Sequence, residues 1–147
     1  MVNRDRIRAA ENGGAGSIIM TRGLTMQRLL PAVMILNAVI FLGAAIEHAG
    51  VAIGPFSEPT IMPATIVETT CGLSLAWGAA GVMLRSGSRR RVALITNLVA
   101  LAGVLLGIAA LAAGAGPRTA SNDVHHGIML ALIISSLAIL IFGPEGD

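Results

Sequence analysis

Four long apolar stretches follow one another along the chain, each separated from the next by a short polar or charged segment. Each stretch is long enough to cross a bilayer, which takes about 20 apolar residues in a helix. Because the hydrocarbon core offers no water to backbone N–H and C=O groups, a stretch that crosses it must be helical. The pattern therefore predicts an all-α, four-helix membrane bundle with helices at 29–53, 61–84, 92–113 and 124–142.

The two ends of the chain differ from this membrane domain, which spans 29–142. Residues 1–28 are basic and polar and contain consecutive glycines, so we predict a flexible N-terminal segment. Residues 143–147 form a short C-terminal tail. The membrane core needs nothing before Arg28, which leaves three candidate start sites: Met1, Met20 and Met26.

Composition agrees with a membrane protein, since 54% of the residues are hydrophobic and only 12% are charged. The ten basic residues are all arginine, and they concentrate in the N-terminal segment and the second loop. The first loop, 54–60, has none, and the third has only Arg118. Because basic residues stay on the cytoplasmic side, we predict cytoplasmic termini and a multi-pass protein of the inner (plasma) membrane.

Several classes of function find no support in the residues. No basic stripe carries interleaved aromatic residues, which argues against nucleic-acid binding. The single cysteine, Cys71, excludes an internal disulfide and a C-x-x-C redox pair. Its only nearby base is Glu68, so a cysteine nucleophile is disfavoured, no catalytic residue is predicted, and an enzyme is the less favoured class. The expected partners are the lipid bilayer and either other membrane subunits or further copies of this chain.

Glu68 is the strongest functional signal in the chain, because it stands inside the second apolar stretch. At about 1.5 Å per residue it lies roughly 10 Å from the start of that stretch. An ionised carboxylate at such a depth costs a few kcal/mol even on lenient insertion scales. Glu68 must therefore be protonated, paired or bound to a ligand.

Two histidines lie at a similar depth to Glu68 below the predicted outer face, His48 on the first helix and His126 on the fourth. Imidazole and carboxylate groups together are the usual ligands of zinc, iron or copper, and helical bundles build such sites from facing helices. The sequence thus predicts a transition-metal site near the outer face. Its predicted ligands are His48, Glu68, His126 and Asp123, and the residues around them are Glu47, His125 and Cys71.

Other interpretations of these residues remain open. A buried glutamate beside a histidine can bind or relay protons. Haem held between His48 and His125 or His126 is a third option, ranked last because the sequence has no haem-attachment motif. The structural interpretation is that Glu68 and one histidine only lock two helices together.

Structural roles are also expected for several other polar or aromatic residues. Asn122 or Asp123 is most simply the N-cap of the fourth helix. We expect Asn37 and Asn97 to donate hydrogen bonds between helices, and Trp77 to be a packing residue.

The second apolar stretch resembles the second helix of DoxX-type four-helix membrane proteins. Glu68 is followed by Gly72, an apolar run and Gly78, and Arg85 and Arg89 lie in the next loop. Proteins of that family are linked to membrane redox systems and quinone metabolism, so the resemblance implies a role of that kind. It carries over only Glu68, Gly72 and Gly78.

This chain departs from the DoxX-like pattern at Glu47-His48 and at His125-His126. We therefore expect a small membrane protein with a polar His/Glu site near its outer face, accessory to a redox or transport system. One alternative is a structural or assembly subunit without chemistry of its own. Another is a small proton-coupled transporter, although small multidrug transporters usually carry their acid on the first helix among many aromatics.

Overall fold

The computed structural model describes residues 28–54, 58–84 and 87–143. Within these ranges the fold is all-α, and each of its four helices is long and apolar enough to cross a membrane. The predicted four-helix class is thereby confirmed. Apart from Arg28 and Gly143, the predicted N-terminal segment and C-terminal tail lie outside the described residues. The helices are α1 (Arg28–His48), α2 (Met62–Met83), α3 (Arg89–Ala112) and α4 (Ala120–Phe142).

The first helix ends at His48, five residues before the predicted end at 53. Gly50 has a φ of +91°, a left-handed conformation that glycine adopts without steric cost and that commonly ends helices. After the first loop the chain returns to the end of α1, where the N–H of Ile61 donates to the carbonyl of His48 at 2.9 Å. His48 is therefore the last residue of α1 and lies beside the start of α2.

The fourth helix begins four residues earlier than predicted, at Ala120, and its N-cap is Thr119. The Thr119 hydroxyl accepts a hydrogen bond from the Asn122 N–H at 3.1 Å, so the prediction of Asn122 or Asp123 as the cap is wrong. The same hydroxyl donates to Oε1 of Glu58 at 2.6 Å. This bond joins the first and third loops at one end of the bundle, which we call the two-loop end.

Glycines let neighbouring helices approach closely, as small residues do in membrane bundles. A Cβ at Gly72 of α2 would lie 2.8 Å from Leu42 of α1. A Cβ at Gly103 of α3 would collide with the thiol of Cys71 on α2. Gly107, four residues later on α3, accommodates the ring of His126 from α4. The G-x-x-x-G pattern that these two glycines form therefore serves packing within the chain. The fully buried side chains between the helices include Leu30, Met34, Phe41, Leu75, Met129 and Ile133.

Asn37 and Asn97 are both fully buried but bond differently. The Asn37 amide donates to the Met129 carbonyl at 3.3 Å, which links α1 to α4 and confirms one predicted interhelical bond. The Asn97 amide donates to the Ala93 carbonyl of its own helix at 2.8 Å, so the interhelical prediction is wrong there. Both are asparagines near the middle of a helix, so the sequence alone could not show which of them bonds to another helix.

Large apolar side chains cover the outside of the bundle, as expected where a helix contacts lipid. Trp77 is 74% exposed, so its predicted role as a packing residue is wrong. The packed face of α2 is taken by smaller residues such as Leu75, Gly78 and Ala79. The bundle thus presents an apolar surface to a surrounding bilayer.

Candidate proton and ligand site at the two-loop end

His48 and Glu68 form a buried pair between α1 and α2. Helical side chains lean towards the N-terminus of their own helix. The first helix runs towards the two-loop end and the second runs away from it, so the two side chains lean towards each other. His48 Nδ1 lies 2.8 Å from Glu68 Oε2, and the residues are 4% and 5% exposed.

Which group carries the hydrogen of this contact depends on the protonation state of the pair. With Glu68 ionised, the imidazole Nδ1–H donates to the carboxylate, a charge-assisted bond that is stronger than a neutral one. The other ring nitrogen, Nε2, then carries a lone pair. It is buried and makes no hydrogen bond with any residue in the described part of the chain. The pair therefore combines one satisfied polar contact with one unsatisfied nitrogen.

Two further buried carboxylates, Glu47 and Glu58, lie within electrostatic range of His48. Each has an Oε2 atom without a hydrogen-bond partner among the described residues. Sequence reasoning placed Glu47 around the site but missed Glu58, because an acid in a loop normally faces solvent. The available signal was that Glu58 is the only charged residue of the first loop.

A cavity of about 230 Å³ opens beside the His48–Glu68 pair. Residues of all four helices line it, and most of them are apolar. Its polar lining residues are His48, Glu68, Asn122 and His126. The structure thus brings three of the four predicted site residues to one cavity.

His126 approaches this cavity from α4 in a fixed orientation. Its Nδ1–H donates to the carbonyl of Asn122 at 2.8 Å, since a carbonyl can only accept. In the neutral ring Nε2 is therefore an acceptor, and it bonds to no other described residue. The ring lies against Gly107 of α3, where a Cβ would collide with Nε2. Within the described ranges, no hydrogen bond joins His126 to the His48–Glu68 pair.

The remaining residues of the predicted metal site lie elsewhere. Asp123 pairs with Arg118 at 3.0 Å on an exposed surface and lines an outer groove between α3 and α4. His125 is half-buried on α4. Cys71 is buried against Gly103, and its thiol lies 3.8 Å from the Val99 carbonyl.

The predicted ligands do not assemble into a recognisable metal centre. Among the described residues, no group of three or more His, Cys, Asp or Glu side chains is arranged to hold a metal ion. Two of the four predicted ligands, His48 and Glu68, contact each other instead. Metal binding at this site stays a prediction from the sequence.

The comparisons with known proteins add no relative. No protein-family profile matches the chain, and neither a curated protein nor a solved structure is significantly similar to it. The resemblance to DoxX-type proteins therefore stays a prediction carried by the motif on the second helix.

Proposed function

We propose that this is a multi-pass protein of the inner (plasma) membrane whose His48–Glu68 pair binds and releases a proton for a redox or transport system. The proposal is carried by the 2.8 Å contact between His48 Nδ1 and Glu68 Oε2 in a buried position. Ionisable residues inside membrane segments are costly, and they mark proton relays in pumps and transporters.

Proton uptake at this pair has a simple electrostatic rationale. With Nδ1–H donating to the carboxylate, a proton can add to Nε2 of His48. Uptake converts a pair of net charge −1 into an imidazolium–carboxylate pair of net charge zero. An uncompensated buried charge is far more costly than a paired one. Proton uptake therefore removes the uncompensated negative charge of the pair and lowers its electrostatic cost inside the bundle.

The competing function is structural, with the pair only fastening α1 to α2. The Asn37–Met129 bond fastens α1 to α4 in that manner, which gives this alternative a precedent in the same molecule. The two functions differ in one measurable respect. A proton site changes its protonation state while the protein stays folded, and a fastening pair keeps one state.

The test is a pH titration of ¹⁵N-histidine-labelled protein in lipid nanodiscs, where the three histidines of the chain give resolvable signals. We expect His48 to change protonation state within the pH range in which the protein remains folded. Glu68→Gln keeps the side-chain volume and removes the charge, and it should move the pH at which His48 titrates. Asp123→Asn removes an exposed carboxylate and should leave the His48 titration unchanged.

Two outcomes would contradict the proposal. In the first, His48 keeps one protonation state throughout the titration. In the second, His48 titrates identically in the wild type and in the Glu68→Gln protein. Either result would support the structural function, in which the pair only fastens α1 to α2. The metal prediction has its own test, metal analysis of the purified wild type against Glu68→Ala. Equal metal in both proteins, or none in either, would remove Glu68 as a ligand.

A further inference from the structure

The cavity beside the His48–Glu68 pair is large enough for an organic molecule. Its volume of about 230 Å³ exceeds the roughly 150 Å³ of an engineered apolar cavity that stays dry and binds benzene. Scaling from benzene gives room for roughly nine or ten non-hydrogen atoms. A proton site alone needs no such space.

The cavity has apolar walls on both sides of a polar middle. Phe41, Val104 and Met129 line its deeper part, away from the two-loop end. Ile61 and Gly116 line the part nearest that end, and a Cβ at Gly116 would lie 3.5 Å from Ile61 Cδ1. The first and third loops therefore approach each other over the cavity. A molecule inside it would be surrounded mainly by apolar atoms.

The hydrogen-bonding capacity that a ligand can reach lies on α4, because the unbonded Nε2 of His48 on α1 is buried without accessible surface. His48 and Glu68 bond to each other, whereas His126 Nε2 is an acceptor without a bond to any described residue. Asn122 also lines the cavity, and its side-chain amide makes no hydrogen bond within the described part of the chain. Asn122 and His126 lie one turn apart on one face of α4. The amide N–H groups of Asn122 and the acceptor Nε2 of His126 together complement a hydroxyl group, which both donates and accepts.

Charge further restricts the class of ligand. The charged residues that line the cavity are paired with each other, and Arg118 and Asp123 pair outside it. An anionic ligand would meet no cation in the cavity lining, and a cationic ligand would find only a carboxylate that is already bonded to His48. Burial of either charge is therefore costly. The occupant should therefore be neutral.

We propose that the cavity binds an uncharged small molecule of the phenol or alcohol class, with its apolar body against Phe41, Val104 and Met129. Its hydroxyl donates to Nε2 of His126 and accepts from the Asn122 amide. This binding requires only the cavity and α4, so it stands or falls separately from proton uptake at His48.

A matched pair of probes, 4-propylphenol and propylbenzene, tests the proposal. The two molecules share one apolar body and differ only in the hydroxyl group. In ¹⁵N-histidine NMR of the protein in nanodiscs, we expect 4-propylphenol to shift the His126 signal saturably. Propylbenzene should bind about tenfold to a hundredfold more weakly, because one hydrogen bond is worth about tenfold in affinity and the hydroxyl makes two. In the His126→Ala protein, affinity is followed by isotope-edited contacts from the probe to Met129. The preference should fall there about tenfold, to the part contributed by Asn122.

Two neighbouring alanines of α3 supply the control for position. Ala110 lines the cavity, and Ala109 is exposed on the outside of the same helix. Ala110→Leu should fill part of the cavity and abolish saturable binding, whereas Ala109→Leu adds the same volume outside and should bind as wild type. Both variants keep good helix-forming residues.

Three results would overturn the proposal. Equal affinity for the two probes would show that the cavity takes any apolar body, such as a lipid acyl chain. Undiminished binding by Ala110→Leu would place the probe elsewhere. A His126 signal that does not saturate would mean partition into lipid only. The His48 titration is measured without a probe, so its failure is distinguishable from each of these results.

Discussion

The imidazole of His126 occupies the space that a side chain at Gly107 would need. One turn earlier on α3, Gly103 accommodates the thiol of Cys71 in the same way. The third helix therefore receives a side chain from α4 at one glycine and a side chain from α2 at the other. This arrangement fixes His126 at the wall of the cavity.

Gly107→Ala should both destabilise the protein and displace His126. The added Cβ would collide with Nε2 of the ring, and overpacking of a well-packed site typically costs about 1–3 kcal/mol. Thermal unfolding in detergent measures the stability, and the ¹⁵N signal of His126 measures the displacement. Gly127→Ala is the matched control, because a Cβ there meets no described atom within 4 Å. Equal behaviour of the two variants would contradict the contact.

Gly103→Ala should be rescued by a second substitution on α2. A Cβ at Gly103 would collide with Cys71 Sγ but would lie 3.9 Å from Cys71 Cβ, an ordinary contact. We expect Gly103→Ala to lower the free energy of unfolding by about 1–3 kcal/mol. Adding Cys71→Ala should recover part of that loss. A double-mutant cycle of unfolding in detergent measures the coupling, and strictly additive effects would argue against the close approach of α2 and α3.

Thr119→Ala should loosen the start of α4. The substitution removes the acceptor of the Asn122 N–H and the donor to Glu58. Loss of an N-cap costs about 0.5–2 kcal/mol, and the buried Glu58 carboxylate loses a hydrogen bond in addition. Hydrogen exchange over residues 120–126 should accelerate in Thr119→Ala. Thr119→Ser retains the hydroxyl and should exchange like the wild type; fast exchange in both would mean that the hydroxyl is not the cap.

The orientation of the bundle is a separate prediction, based on the arginines of the second loop. Because Cys71 is the only cysteine of the chain, its replacement by alanine allows single cysteines to be placed at will. Gly87 and Ala113 are exposed at opposite ends of α3. In intact cells, a membrane-impermeant maleimide should label Ala113→Cys at once and Gly87→Cys only after lysis. The reverse order would place the arginine-rich loop outside.

The sequence predicts best those parts of the fold that depend on the free energy of placing each residue in water or in lipid. Long apolar runs predict the four helices, and the depth of Glu68 predicts a buried partner, which the structure identifies as His48. Both follow from the cost of leaving a polar group in an apolar medium. That cost is a property of the residue and its depth, so it can be estimated without knowledge of the packing.

The parts that the sequence does not predict depend on contacts between distant segments. The burial of Glu58 follows from its bond to Thr119, a residue 61 positions away. Asp123 lies close to His126 in sequence but turns to Arg118 on the outside of α4. Periodicity places residues on a helix face, yet it does not say which helix that face meets. The cavity could not be predicted from the sequence for the same reason, because its walls come from four separate helices.

The outward position of Trp77 has a spectroscopic consequence. It is the only tryptophan of the chain, and it is 74% exposed on α2. Its fluorescence therefore reports on the acyl chains around the protein, and quenchers attached to lipid tails should reach it readily. A ligand bound in the cavity would leave the emission spectrum almost unaltered. Intrinsic fluorescence therefore reports on membrane insertion and does not report on ligand binding inside the bundle.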